Sequence, residues 1–299
     1  MGRLSAIVLG SAAGGGFPQW NCRCQVCALA WQGDPRVKPR TQAGLAVTAG
    51  DGRWTLINAS PDLGAQIRAT AALHPQNGLR GSPVDAVLLT GAEIDQIAGL
   101  LSLRESTPFT LYATPASHAA VAANVMFGAL GAMARRAVNP GETFVLPGGI
   151  AAHLFMVPGK LPLYMEGEAP ETAAETAANV GVELERDGAR LVVVPGAAAV
   201  TANMRERLAR ADAILFDGTV FTDDELLRAG VGQKTGRRMG HLPIAGDGGS
   251  LKALEGVVGR RIFFHINNTN PLLIEGSSER AAAEAAGWQV AEDGMEINL

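Results

Sequence analysis

Cysteine is scarce in this 299-residue chain, with three in all, and histidine is nearly as scarce at five. Three thiols cannot form the paired framework of a disulfide-stapled fold. No run of about eighteen uninterrupted apolar residues is present, which argues against a membrane-spanning helix. There is no basic block, and the net charge is −4, which argues against binding nucleic acid or an anionic membrane surface. No Ser/Pro-rich linker or low-complexity tract divides the chain, so a single domain over residues 1–299 is expected. The start MGRLSAIVLG runs into a glycine turn instead of a small-residue cleavage site, and a cytoplasmic protein is expected. Hydrophobic residues at 47% supply an ample core.

All three cysteines fall in one knot, Cys22, Cys24 and Cys27, spaced C-x-C-x-x-C. They end the stretch Gly10–Cys27, GSAAGGGFPQWNCRCQVC, which follows the apolar run Leu4–Leu9, read as a buried strand. Gly14 to Gly16 free the backbone of this loop for close approach to other groups. Short spacers fold three soft thiolates toward one tetrahedral ion, and zinc is the favoured metal. In a reducing compartment this outweighs a redox pair. The fourth ligand must come from elsewhere, and the expected role is to pin the loop at residues 10–27.

Further along, Leu45–Thr48 and Trp54–Asn58 bracket the turn Ala49-Gly50-Asp51-Gly52 and read as a hairpin. Asn58–Asp62 leads into a helix from Pro61 through Ile67, with Ser60 or Asn58 as cap and Asp62 supporting the helix end. Val84–Thr90 reads as a strand covered on both faces, followed by a helix over Ile94–Arg104. Glu93 and Asp95 stand at that junction, where scaffold on both sides fixes groups whose tips stay open. Strands are expected at Phe109–Tyr112, Leu154–Val157, Val180–Leu184, Leu191–Val194, Ala213–Phe216 and Ile262–His265, and helices at Pro115–Phe127, Ala202–Arg210 and Glu279–Ala286. Early hairpins followed by strand–helix alternation predict two sheets between helical layers, an α/β fold. Three polar words end strands or loops: Asp217-Gly218-Thr219, Met239–Pro243 and His265–Pro271.

PQWNCRC, TGAEIDQIAGLLSLRE, FDGT, MGHLPI and FHINNTNP together resemble the coenzyme PQQ synthesis protein B family, from Leu4 to about Glu275. The resemblance implies a metallo-β-lactamase fold, a four-layer αββα sandwich with its site between the sheet edges. The superfamily motif H-x-H-x-D-H falls on Gly91, Glu93, Asp95 and Gln96, so only the aspartate survives, and Gln96 replaces the histidine usual in this family. Asp217 matches the downstream bridging aspartate and His265 the last metal histidine, while Val194-Pro195-Gly196 offers no intermediate ligand. The inventory disfavours two-metal hydrolysis, a β-lactamase included.

What the resemblance implies instead is one ion, ferrous iron, Fe(II), held by Asp95, Asp217 and His265 with Glu93. The implied activity is an iron-dependent hydroxylase acting on the tyrosine ring of a glutamate–tyrosine cross-linked peptide precursor of pyrroloquinoline quinone. His241, Asp95 and Asp217 would be its catalytic residues, His241 moving protons or holding substrate. Gln96 has a plainer reading, bonding a neighbouring carboxylate while Asp95 caps the helix. Arg104, Lys234, Arg237, Asn267, Asn268 and Asn270 are candidates for clamping substrate carboxylates, Asn268 and Asn270 foremost and the adjacent Arg237 and Arg238 least. His74, His118 and His153 read as structural or surface residues. The competing reading is a carrier that holds PQQ or its precursor, toward transport, without turnover. Either reading is compatible with a homodimer.

Overall fold

The run after Leu4 alternates between two buried faces and forms the first of fourteen strands in the computed structural model, which describes residues 2–76, 78–167 and 171–299. The strands are β1 Ser5–Gly10, β2 Gly44–Thr48, β3 Trp54–Ile57, β4 Val84–Leu88, β5 Phe109–Ala113, β6 Met133–Ala137, β7 Thr143–Leu146, β8 Ile150–Gly159, β9 Ala174–Arg186, β10 Ala189–Val194, β11 Ala213–Asp217, β12 Arg260–Phe264, β13 Trp288–Val290 and β14 Glu296–Asn298. They make two seven-stranded sheets, ordered β14-β1-β2-β3-β4-β5-β6 and β13-β12-β11-β10-β9-β8-β7. Each sheet is mixed: the first is parallel from β3 to β6, the second from β10 to β13.

The continuous apolar strands follow from double coverage. In β11, Ala213 and Leu215 face the other sheet, in one core cluster with Leu45 and Leu88 of that sheet and Leu154 and Ile262 of their own. Ile214 and Phe216 face outward under Met204 and Leu208 of the helix Ala202–Ala209. On the first sheet Leu56, Val87 and Leu111 pack under Leu63, Leu100 and Val121. With no polar face left, these strands carry no period-two signal and read as uninterrupted apolar runs. The layers are helix, sheet, sheet, helix, the metallo-β-lactamase architecture that the resemblance implied. Among the described residues no helix is long and apolar enough to cross a membrane.

Several local expectations change. The helix after Asn58 begins at Leu63 and ends at Ala69, and neither Ser60 nor Asn58 caps it. Ser60 Oγ donates to Gln66 Oε1, and Asn58, at φ 63°, accepts the Thr90 backbone N–H. Asp62 turns back to accept the Gln42 backbone N–H and side-chain amide at 2.9 and 3.0 Å, so it braces a loop instead of the helix end. The helix expected over Ile94–Arg104 is α-helical only at Ile94–Ile97 and tightens to 3₁₀ over Ala98–Leu103. Gly99 explains the change: a Cβ there would strike the Ser60 carbonyl, and its N–H donates to Ala59 at 2.8 Å. The backbone of 59–60 occupies the space of a regular turn. Pro115–Ala122 likewise stops short of Phe127, where Asn124 donates back to the Ala120 carbonyl at 2.8 Å.

The site lies where carboxyl ends of strands from both sheets meet. Segment 90–95 follows β4, Pro195–Ala197 follow β10, Asp217 ends β11 and His265 follows β12.

Candidate functional site

Two centres share this rim. In the first, Cys22, Cys24 and Cys27 are buried with sulfurs within 4.8 Å of one another. Cys24 is the N-cap of the helix Gln25–Trp31, its Sγ accepting the Cys27 N–H. Asn268 closes the remaining side: its Nδ2 lies 3.2 Å from Cys22 Sγ and 3.3 Å from Cys27 Sγ, and its carbonyl 3.7 Å from Cys24 Sγ. Burial, with the neighbouring sulfurs adding to it, pushes the Cys24 thiol up to about 12, and burial also raises Cys27. Three crowded sulfurs, two of them on thiols that burial keeps from ionising, are the donor set a zinc dication stabilises as thiolates. The residues therefore fit a structural zinc.

The second centre floors a cavity of about 300 Å³. Asp217 is fully buried, and both its oxygens are bonded: Oδ2 accepts the Ala197 N–H at 2.9 Å and lies 2.8 Å from His241 Nδ1, while Oδ1 accepts the Thr219 N–H and hydroxyl at 3.0 and 2.6 Å. His265 sits at φ 60°, a left-handed backbone uncommon outside glycine and enriched at functional sites. That turn brings its Nε2 to 2.9 Å from Asp95 Oδ2 and its Nδ1 to 2.9 Å from Thr219 Oγ1. The rings of His241 and His265 stack with centroids 5.3 Å apart. Ligand atoms of Asp217, His241 and His265 lie within 4.8 Å of one another, with Asp95 against His265. Two imidazoles and the Asp217 carboxylate, with Asp95 against one of the rings, fit one cation of borderline or hard character.

His241 also fills a gap the sequence left open. Gly196 stands where the intermediate histidine is missing, and a Cβ there would lie 3.0 Å from His241 Cε1. The glycine makes room for an imidazole delivered by a different loop.

Burial works against ionised Asp95 and Asp217, but the hydrogen bonds and charge of His265 and His241 outweigh it and hold both below the usual carboxylate range. Burial likewise works against the His265 imidazolium, and the Asp95 hydrogen bond and charge more than compensate, raising its pKa. Histidine raised in the folded state contributes stability that is complete below its unfolded pKa of about 6.5 and lost as pH rises through the folded value. Asp95, being lowered, contributes above about 3.9 and loses this as pH falls through its folded value. Protein carrying only the knuckle zinc is thus expected to melt at lower temperature as pH rises past His265, while rim-cation affinity increases because Nε2 gives up its proton. Melts and calorimetric titrations across that interval check both trends, and flat profiles would contradict them.

Other expected site residues are placed differently. Glu93 lines the cavity, but its Oε1 accepts Lys160 Nζ at 2.8 Å and its Oε2 the Leu163 N–H at 3.2 Å, so it anchors a strap and is not part of the ligand cluster. Lys160 also pairs with Glu166 at 2.7 Å. Glu93→Gln is accordingly expected to leave rim-cation affinity within about threefold, well short of the 10–100-fold typical for lost outer-shell partners; a larger loss in a metal titration would restore Glu93 as a ligand.

Gln96 bonds no carboxylate: its Oε1 accepts the Glu93 backbone N–H at 3.0 Å. Gly91 accommodates it, since a Cβ there would lie 2.5 Å from that oxygen. Asp95 makes no cap and points to His265.

Asn268 is turned into the sulfur cluster, away from the cavity. Asn270 is fully buried, its Nδ2 donating to the Gly218 carbonyl at 2.8 Å and its Oδ1 accepting the Leu272 N–H. Arg104 is exposed and bonds the Leu101 carbonyl outside the cavity. None of these three lines the cavity: the chain reverses after His265 and internal bonds take both amides. Asn267 and Lys234 do line the cavity. Arg237 reaches the Gly248 carbonyl, and Arg238 lies 3.5 Å from Glu166. His74, His118 and His153 lie off the cavity, His74 against the Arg68 carbonyl and His153 against Arg207. Lys160 and Thr219 had no assigned role in the sequence; the first is recruited 67 residues from Glu93, beyond the reach of any spacing argument.

Residues 53–266 match the Beta-lactamase superfamily domain. The chain is 58% identical to coenzyme PQQ synthesis protein B of Methylobacterium nodulans, covering 99% of this chain and 100% of that protein. Identity to the protein of the same name from Ruegeria pomeroyi is 50%, again covering 99% and 100%. A crystal structure of zinc-bound PqqB from Methylobacterium extorquens superposes with a TM-score of 0.97 at 53% identity, covering 99% of this chain and 100% of that one. A diphosphatase from the PhnP family shares the fold at a TM-score of 0.68 and 22% identity, covering 99% and 97%. Agreement along the full length, in sequence and in backbone, places this chain in the coenzyme PQQ synthesis protein B family of the β-lactamase superfamily.

Proposed function

We propose that this chain acts in pyrroloquinoline quinone biosynthesis, in the cytoplasm, as an iron- and oxygen-dependent hydroxylase of the tyrosine ring in the glutamate–tyrosine cross-linked precursor. The observation that carries the reading is the convergence of His241, His265, Asp95 and Asp217 on one cavity from which other superfamily histidines are missing. That set suits one ion, not a hydrolytic pair, and imidazole with carboxylate suits non-haem ferrous iron. Iron held by His265, Asp95 and Asp217 would supply the redox chemistry that activates dioxygen.

The remaining tasks fall to the chain. His241, with Nδ1 beside Asp217 and Thr219, keeps Nε2 for accepting the ring proton at the cavity floor. Lys234 and Asn267 on the wall provide donors for the carboxylates of the precursor. Glu93 fixes Lys160 and Leu163 in the cavity wall. Zinc on the cysteine knuckle braces the loop that carries Asn268, three residues beyond His265.

The test is aerobic incubation of anaerobically iron-loaded protein with the cross-linked precursor, read by mass spectrometry. Gain of oxygen atoms is expected. Tight binding with no change in mass would overturn the hydroxylase and favour a carrier.

A further inference from the structure

We infer that Thr219 is the positioning residue of the rim site, a single hydroxyl that fixes the proton of His265 on Nδ1 and shares with Asp217 the holding of the His241 Nδ1 proton. The inference rests on reading the rim as a cation centre. Thr219 follows β11 through Gly218, where a Cβ would lie 3.0 Å from the Phe263 Cβ and whose N–H donates to the Phe264 carbonyl at 2.7 Å. This close turn holds Thr219 between the ends of β11 and β12. Its Oγ1 is 2.6 Å from Asp217 Oδ1, 2.9 Å from His265 Nδ1, 3.0 Å from His241 Nδ1 and 3.0 Å from the His265 carbonyl.

A hydroxyl has one proton and two lone pairs. Asp217 and the His265 carbonyl can only accept, and the carboxylate is the shorter contact, so the proton goes to Asp217. Toward both imidazoles Oγ1 is then an acceptor. Each Nδ1 must be an N–H, and Nε2 of each ring is left to face a cation or a proton, that of His265 already beside Asp95 Oδ2 at 2.9 Å. The same hydroxyl and the Thr219 N–H occupy Asp217 Oδ1, leaving Oδ2 on the His241 side. One side chain thereby orients three ligand candidates, the role an outer-shell partner plays in metal sites.

The test compares Thr219→Ser with Thr219→Ala, which differ by the hydroxyl alone, in protein carrying the knuckle zinc. Cobalt(II) affinity is read by titration calorimetry, and the imidazole protons by long-range ¹H–¹⁵N correlation. The alanine variant is expected to lose about 10–100-fold in cobalt(II) affinity together with the hydrogen-bonded Nδ1–H signal of His265, and the serine variant to keep both. Alanine matching wild type in affinity and in proton signals, or an Nε2–H tautomer of His241 in the wild type, would overturn the inference. Should wild-type protein bind no cobalt(II) beside its zinc, the cation reading fails, while the proton signals still decide the role of Thr219.

Discussion

His265→Ala is expected to abolish iron-dependent oxygen incorporation and to weaken cation binding at the rim by roughly a hundredfold or more, since removing a ligand should exceed the 10–100-fold cost of removing an outer-shell partner. The imidazole faces the cavity with Nε2, pairs through that atom with Asp95 and donates its Nδ1–H to the Thr219 hydroxyl oxygen. Alanine at φ 60° is also strained, which could mimic a loss of function through the backbone. His265→Asn separates the causes, because asparagine tolerates the left-handed region while lacking the ring. Both variants should lose cation affinity equally, and the asparagine variant should melt closer to wild type. If asparagine retained the cation, the ring would not be a ligand. Leaving Asp95 without its partner is expected to cost about 1–3 kcal/mol.

Cys27→Ser is expected to release the knuckle zinc and to lower stability by about 4 kcal/mol or more, in the range that loss of a structural metal produces. For a chain of this length that is a fall of about 5–10 °C in melting temperature. Cys27 is fully buried, so a hydroxyl there meets neither water nor a soft metal. The sulfurs hold Asn268 from both its amide and its carbonyl, three residues past His265, so the variant should also loosen the rim and weaken its cation. Zinc analysis alongside thermal melts checks this. Full zinc occupancy with an unchanged melt would show that Cys22 and Cys24 bind without Cys27.

How much the sequence discloses depends on what kind of signal each feature leaves. Buried strands such as Val84–Leu88 and Ala213–Phe216 announce themselves because both faces must be apolar. The edge strand β6, with the sequence MARRA, is mostly exposed and carries charges that discourage further pairing, so no hydrophobic pattern marks it. β13 and β14 have three residues each, too few for any period.

At the site, Asp95, Asp217, His241 and His265 converge as their positions at strand and loop ends suggested. The cysteine spacing likewise foretold three sulfurs on one side. Side chains in irregular loops are another matter. Asn268 and Asn270 follow His265 directly, yet one reaches the sulfurs and the other caps a 3₁₀ turn, because backbone reversal, not spacing, decides where they point. Glu93 occupies a motif position and is diverted by Lys160, whose approach depends on the packing of β8. The vacancy at Gly196 was readable as a missing ligand, but its filling by His241 was not.

Anomalous diffraction from crystals of the iron- and zinc-loaded protein, measured on both sides of each absorption edge, tests the division between the two centres most directly. The account predicts zinc among Cys22, Cys24 and Cys27, and iron bonded to His265 Nε2 with Asp95, Asp217 and His241 around it. Iron at the cysteines, or no ordered ion beside His265 despite full loading, would contradict it.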